Sequence, residues 1–200
     1  MYRRLYVFKN IKDGGYMARG IIIFGSPGSG TTTLGRETAK RLGFQHFDLD
    51  NYLWRFDTEI PFTVTRPREE RIELLMGDIS KFSNFVMSGS MDSYNAPFVP
   101  LFDLAVFNSA PVDTRVERVN AREFARFGDR ILPGGDMFEL HKDFLDCVRS
   151  YDTDGAKISR RVHEQWAETL PCPVLHIDGT LDIKENVEQI AEKYLSLLSN

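Results

Sequence analysis

Residues 20–33 read GIIIFGSPGSGTTT, a β-branched apolar run followed at once by a glycine-rich turn and three threonines. A short run of this kind fits a buried strand. The turn is close to the phosphate-binding pattern GxxxxGK(S/T), in which a loop joins a strand to a helix. Gly25, Gly28 and Gly30 stand where the turn needs them, and Thr32 stands where a hydroxyl would meet Mg²⁺. Thr31 occupies the place of the lysine. The glycines let backbone N–H groups point inward as an anion nest, and a helix beginning at Thr31 adds its dipole.

The rest of the chain supports a strand–helix alternation. Residues 31–42 read as a helix, with Leu34, Thr38 and Leu42 four apart and Gly43 as its C-cap. Strands are expected at 44–48, 85–89, 103–107 and 173–178. Helices are expected at 68–82, from Pro111, after Asp136 and over the last residues through Ile183, Val187, Ile190 and Tyr194. Pro111 is expected as a first helical residue. Asp136 and Glu139 are expected to form a capping box, before an apolar stripe of Met137, Leu140, Phe144 and Val148. This order predicts an α/β fold with a five-stranded, mainly parallel sheet. Ligands of such sheets lie beyond the carboxyl ends of the strands.

The 200 residues suit one domain with a small lid. Residues 1–16 read as an extension before Met17, and residues 17–200 as the domain. A net charge of −4 argues against a general nucleic-acid binder. No apolar run reaches membrane-span length, and residues 1–16 lack a signal peptide's apolar core. Cys147 and Cys172 make neither a metal motif nor a disulfide framework, so a cytoplasmic protein, monomer or homodimer, is expected.

Chemistry-bearing residues follow the strands. HFDLDNY at 46–52 carries Asp48 and Asp50 at the end of the second strand. Residues two apart on an extended chain face one side. Such a pair can hold Mg²⁺ through water and accept a proton from a hydroxyl; alternatively, Asp50 caps a short helix. Ser88, Gly89 and Ser90 follow the third strand. Arg115, Arg118, Arg122 and Arg126 share one helix face, and the first three lack an acidic residue three or four positions away. Their anion is phosphate or the protein's own carboxylates. Residues 127–137, FGDRILPGGDM, carry Arg130 on a glycine-rich connection that reads as a lid. Arg66, Arg71, Arg160, Arg161 and His163 are further acceptor-side candidates.

Together, GSPGSGTTT, DLD, the glycine turn and the arginine-bearing helix resemble the P-loop small-molecule and nucleotide kinases, in the style of shikimate, gluconate and adenylate kinases. GSGTTTLG, HFDLDNYLW, RPREER and PGGDM are also similar to uncharacterised bacterial proteins known only as ATP-binding or adenylate-kinase-like. The resemblance implies a three-layer α/β/α P-loop kinase fold and Mg²⁺-dependent phosphoryl transfer from ATP to a small hydroxylated or phosphorylated acceptor. It implies nucleotide binding by Gly25, Ser26, Pro27, Gly28, Ser29, Gly30, Thr31, Thr32 and Thr33, with Gly179 flanking the adenine. It implies Mg²⁺ at Thr32 and Asp48, and an acceptor pocket at Asp48, Asp50, Arg66, Ser88, Gly89 and Ser90. Asp50, Arg122, Arg126 and Arg130 take the catalytic roles. The missing lysine leaves a second possibility, an ATP-binding module with impaired catalysis.

Overall fold

In the computed structural model, which describes residues 18–91, 94–153 and 158–199, the opening apolar run is the central strand β1 (Arg19–Gly25). Helix α1 (Thr31–Leu42) follows the loop, then β2 (Gln45–Asp48), a single turn α2 (Asp50–Leu53), α3 (Arg68–Ile79) and β3 (Asn84–Ser88). The chain continues through β4 (Phe102–Ser109), α4 (Val112–Phe127), α5 (Phe138–Ser150), α6 (Arg160–Thr169), β5 (Val174–Asp178) and α7 (Ile183–Leu198). The strands lie in the order β2-β3-β1-β4-β5, and every pairing is parallel. The expected five-stranded α/β fold is therefore the observed one. The suggested extension at 1–16 lies outside the described residues.

Period-two alternation divides β1 between two cores. Ile21 and Ile23 face the layer of Leu34 on α1 and Ile190 and Tyr194 on α7. Ile22 and Phe24 face the opposite layer, with Ile72, Leu75 and Ile79 of α3 and Trp166 of α6. All four side chains are fully buried, so both faces of the sheet are covered. A third, smaller cluster of Val119, Leu145 and Val148 joins α4 to α5 beyond the sheet.

Two local expectations are corrected. Pro111 is the N-cap of α4 and not its first helical residue, which is Val112. The capping box at 136–139 does not form: Met137 is the N-cap of α5, and the Asp136 carboxylate accepts from Arg130. The ion pair is charge-assisted and two-pronged, and it takes up the carboxylate that the capping box would have used. Of the expected stripe on α5, Met137 and Val148 are buried and Phe144 packs partly buried against the cluster of Val119, Leu145 and Val148, while His141 and Leu145 are buried beside them.

Candidate active site

The glycine-rich loop closes between the end of β1 and the start of α1. Gly28 has φ 81° and Gly30 has φ 97°. Both values lie in the left-handed region that favours glycine. Gly28 also has no room for a side chain, because a Cβ there would stand 2.6 Å from the Arg115 carbonyl oxygen. The Ser29 amide donates to the Ser26 carbonyl at 3.1 Å, and both serines are buried. The Ser29 carbonyl accepts from the Asn108 side-chain amide at 2.9 Å, which anchors the loop to the end of β4. Gly179 packs behind the same carbonyl, where a Cβ would stand 2.6 Å from it.

The four arginines of the α4 stripe part company. Arg115 is wholly buried, donates to the Val148 carbonyl at 3.1 Å and pairs with Asp152. Its anion is thus one of the protein's own carboxylates, 37 residues away. Arg118 lies on the glycine-rich loop: it donates to the carbonyls of Gly179 at 2.9 Å and Ser29 at 3.4 Å. Its guanidinium is 4.0 Å from where a Gly30 Cβ would be. Arg122 and Arg126 are exposed: Arg122 lies 3.5 Å from Glu123 and over the Phe144 ring, Arg126 lies over the rings of Phe62 and Phe127, and the charge of both favours the ionised form of Asp50. Arg130 is held in the 127–137 segment by Asp136, at 2.9 and 2.7 Å.

At the end of β2, the Asp48 carboxylate accepts from the Asp50 backbone amide at 3.1 Å. Asp48, not Asp50, therefore satisfies the first turn of α2, and Asp50 stays exposed. Asp50 reaches solvent but is crowded by protein. That crowding, and then the neighbouring Asp48 charge, push its carboxyl above the ordinary value; Arg122, the Trp54 side chain and Arg126 pull it back.

The Ser88 hydroxyl is 2.9 Å from His46 Nε2, under α1 at Gly35, so it joins β2 to β3. The Ser90 hydroxyl is 3.0 Å from His163 Nε2, and His163 Nδ1 is 2.7 Å from the Tyr151 hydroxyl. Arg66 wraps the end of α2, donating to the carbonyls of Asn51 and Trp54. Sequence reasoning left out the segment 54–65, whose aromatic residues Trp54, Phe56 and Phe62 pack edge to face beside Asp50. It shows no helical or strand period; its density of aromatic residues was the signal available.

No protein-family model matches the chain. A shikimate kinase structure from Acinetobacter baumannii superposes with a TM-score of 0.53 at 16% identity, over 90% of this chain and 95% of that one. The observed architecture is the P-loop kinase fold. Cytidylate kinase of Methanopyrus kandleri is 30% identical over 123 residues, 52% of this chain and 62% of that protein. YqaC of Bacillus subtilis, an uncharacterized protein, is 39% identical over 181 residues, 90% of this chain and 99% of that protein. With identity at this level over nearly both whole lengths, the chain belongs to the family of Bacillus subtilis YqaC.

Proposed function

We propose that the protein transfers the terminal phosphoryl group of ATP to a small hydroxylated or phosphorylated acceptor, with Mg²⁺. One observation carries this reading: the donor loop, with its open left-handed Gly30, and the Asp50 carboxylate share the carboxyl edge of one sheet, with arginines of α4 directed at both. The similar proteins described above include a cytidylate kinase and a shikimate kinase, which agrees with it.

The residues fit the donor. Backbone N–H groups of 28–32 at the start of α1 would hold the phosphate oxygens. Among the described residues no three carboxylate, histidine or cysteine side chains gather to bind a metal unaided. That suits Mg²⁺, which keeps several waters and takes phosphate oxygens as ligands. Thr32 and Asp48 would hold it, and the ion would neutralise charge on the phosphates.

In the transfer, the acceptor oxygen forms a bond to the terminal phosphorus as the bond to the bridging oxygen breaks. Asp50 takes the acceptor's proton, and ADP leaves. A carboxyl raised above its ordinary value is a stronger base for that step. Phosphate charge cannot stay unpaired in a closed site. Arg118 stands beside Gly30, and Arg122 and Arg126 face Asp50; with Arg130 from the lid they take the place of the absent lysine. Gly89 and Ser90 would line the acceptor pocket, and Gly179 would flank the adenine.

Calorimetry of Mg-ATP with the wild type, Gly30→Val and Asp50→Asn, paired with ADP release, tests the assignment. Gly30→Val should lose the binding heat. Asp50→Asn should keep it and lose about 100-fold or more in turnover. An Asp50→Asn protein that releases ADP at the wild-type rate would sink the general-base role.

A further inference from the structure

Tyr151, His163 and Ser90 form a hydrogen-bonded chain that runs from the core to the carboxyl edge of the sheet. The Tyr151 hydroxyl is 2.7 Å from His163 Nδ1, and His163 Nε2 is 3.0 Å from the Ser90 hydroxyl. Tyr151 and His163 are buried, and Ser90, at the solvent end, is half-buried. Packing fixes both rings. The His163 ring stands edge-on to Phe24 and Phe107, at 5.6 and 6.1 Å. The Arg115 guanidinium lies over the Tyr151 ring at 5.1 Å.

Strand register locates the solvent end of this chain. Ser88 of β3 pairs with Ile23 of β1 on one side and with Asp48 of β2 on the other. Two residues further along the three parallel segments come Ser90, Gly25 and Asp50. The Gly89 amide donates to the Ile23 carbonyl at 3.0 Å, and the Leu49 amide donates to the Ser88 carbonyl at 2.9 Å, so the segments stay joined as they leave the sheet. Ser90 therefore emerges between the start of the glycine-rich loop and Asp50.

The direction of the protons follows from the partners. Among the described residues the Tyr151 phenol has no hydrogen-bond partner besides His163. Its single proton must go to Nδ1, because a buried donor left without a partner is costly. Burial also pushes the phenol's pKa up, so it keeps that proton. With Nδ1 accepting, the neutral imidazole carries its own proton on Nε2 and donates it to the Ser90 oxygen. Among the described residues no acceptor takes the Ser90 proton, which is left for a partner from outside the chain.

We propose that Ser90 is a specificity-determining residue, a hydrogen-bond donor held in that sense by His163 and Tyr151, and that the small-molecule acceptor meets it with an anionic oxygen of a phosphate or carboxylate group. The inference rests on the phosphotransfer reading for what is bound; the direction of the relay rests on the hydrogen bonds alone. An unrestrained hydroxyl turns to give or to take, but this one is set to give. A donor so held gains most from a charged partner, since charge-assisted hydrogen bonds are about twice as strong as neutral ones. His163 and Tyr151 are positioning residues that act through Ser90.

¹⁵N NMR of the imidazole nitrogens near neutral pH, assigned with His163→Gln, reads the relay. The wild-type His163 ring should carry its proton on Nε2 with Nδ1 bare, and Tyr151→Phe should give a mixture of the two tautomers. A wild-type ring protonated on Nδ1 would overturn the proposal, since Ser90 would then donate inward. The ligand class is read by titrating inorganic phosphate and, separately, acetate at constant ionic strength. At least one of them should move the His163 Nε2 signal with saturation in the wild type, in Gly30→Val and in Ser90→Thr, and the one that does so separates phosphate from carboxylate. Ser90→Ala should weaken that binding roughly fivefold or more, and Tyr151→Phe should weaken it with the Ser90 hydroxyl intact. No saturable shift with either ion, or an unchanged affinity in Ser90→Ala, would defeat the proposal. Shifts that hold while Mg-ATP gives neither binding heat nor turnover with the wild type would support the relay and bring down the kinase reading instead.

Discussion

His163 sits with its ring between the Tyr151 hydroxyl and the Ser90 hydroxyl, edge-on to Phe24 at 5.6 Å. Burial pushes its imidazole down to about 4, from an ordinary value near 6.5. The neutral ring accepts at one nitrogen and donates at the other, which suits two hydroxyl partners. The linkage has a definite sign. Above pH 6.5 the ring is neutral folded and unfolded, and its full contribution is present. As pH falls from about 6.5 to about 4 only the unfolded chain takes up the proton, and stability is lost, on the order of 3 kcal/mol in all. Chemical denaturation across that range should show the decline. His163→Gln should flatten it, and an equal slope in that variant would assign the decline to other groups.

Helix α4 shows how one element serves both packing and chemistry. Its first arginine is built into the α4–α5 contact, its second lies on the glycine-rich loop, and the next two lie over the rings of Phe144 and Phe62. Arg115→Ala should cost roughly 3 kcal/mol, because Asp152 and the Val148 carbonyl lose a buried partner. The denaturant midpoint reads this directly. Arg122→Ala should leave the midpoint within about 0.5 kcal/mol of wild type, since its side chain is 59% exposed.

The same element marks where the sequence was legible. β1 announced itself because four adjacent apolar residues, two per face, admit no other placement. The loop was readable because glycines at 25, 28 and 30 answer to backbone constraints that act locally. Arg115 and Asp152 were not readable as a pair, because tertiary packing joins them across 37 positions. The Asp136 cap failed for a related reason, since Arg130 competes for the carboxylate. The 54–65 segment has no period, so its aromatic residues gain meaning only when the fold brings Phe127 and Arg126 alongside.

At the scale of the whole molecule, charge is unevenly spread. The chain carries −4 overall, yet Arg118, Arg122 and Arg126 stand together on one helix beyond the carboxyl edge of the sheet. Exposed charges of this kind attract an anion through solvent and are screened by salt. The dissociation constant for ATP should therefore weaken steadily as ionic strength rises, read by calorimetry in a salt series. Arg118→Gln and Arg122→Gln together should make that dependence shallower. A double variant with the wild-type slope would place the governing charge elsewhere.

The strand order also has a consequence in time. β1 is made early, but its two neighbours, β3 and β4, end at residues 88 and 109. The Ser29 carbonyl waits for Asn108, and Gly28 waits for the backbone of Arg115. On a ribosome adding roughly 5–20 residues per second, the glycine-rich loop is therefore without its walls for several seconds after it emerges. Under the proposed function, nucleotide would find no finished site on the nascent amino-terminal half and would stabilise the chain only once α4 has left the exit tunnel, so early protection of β1 falls to whatever shields apolar segments during translation.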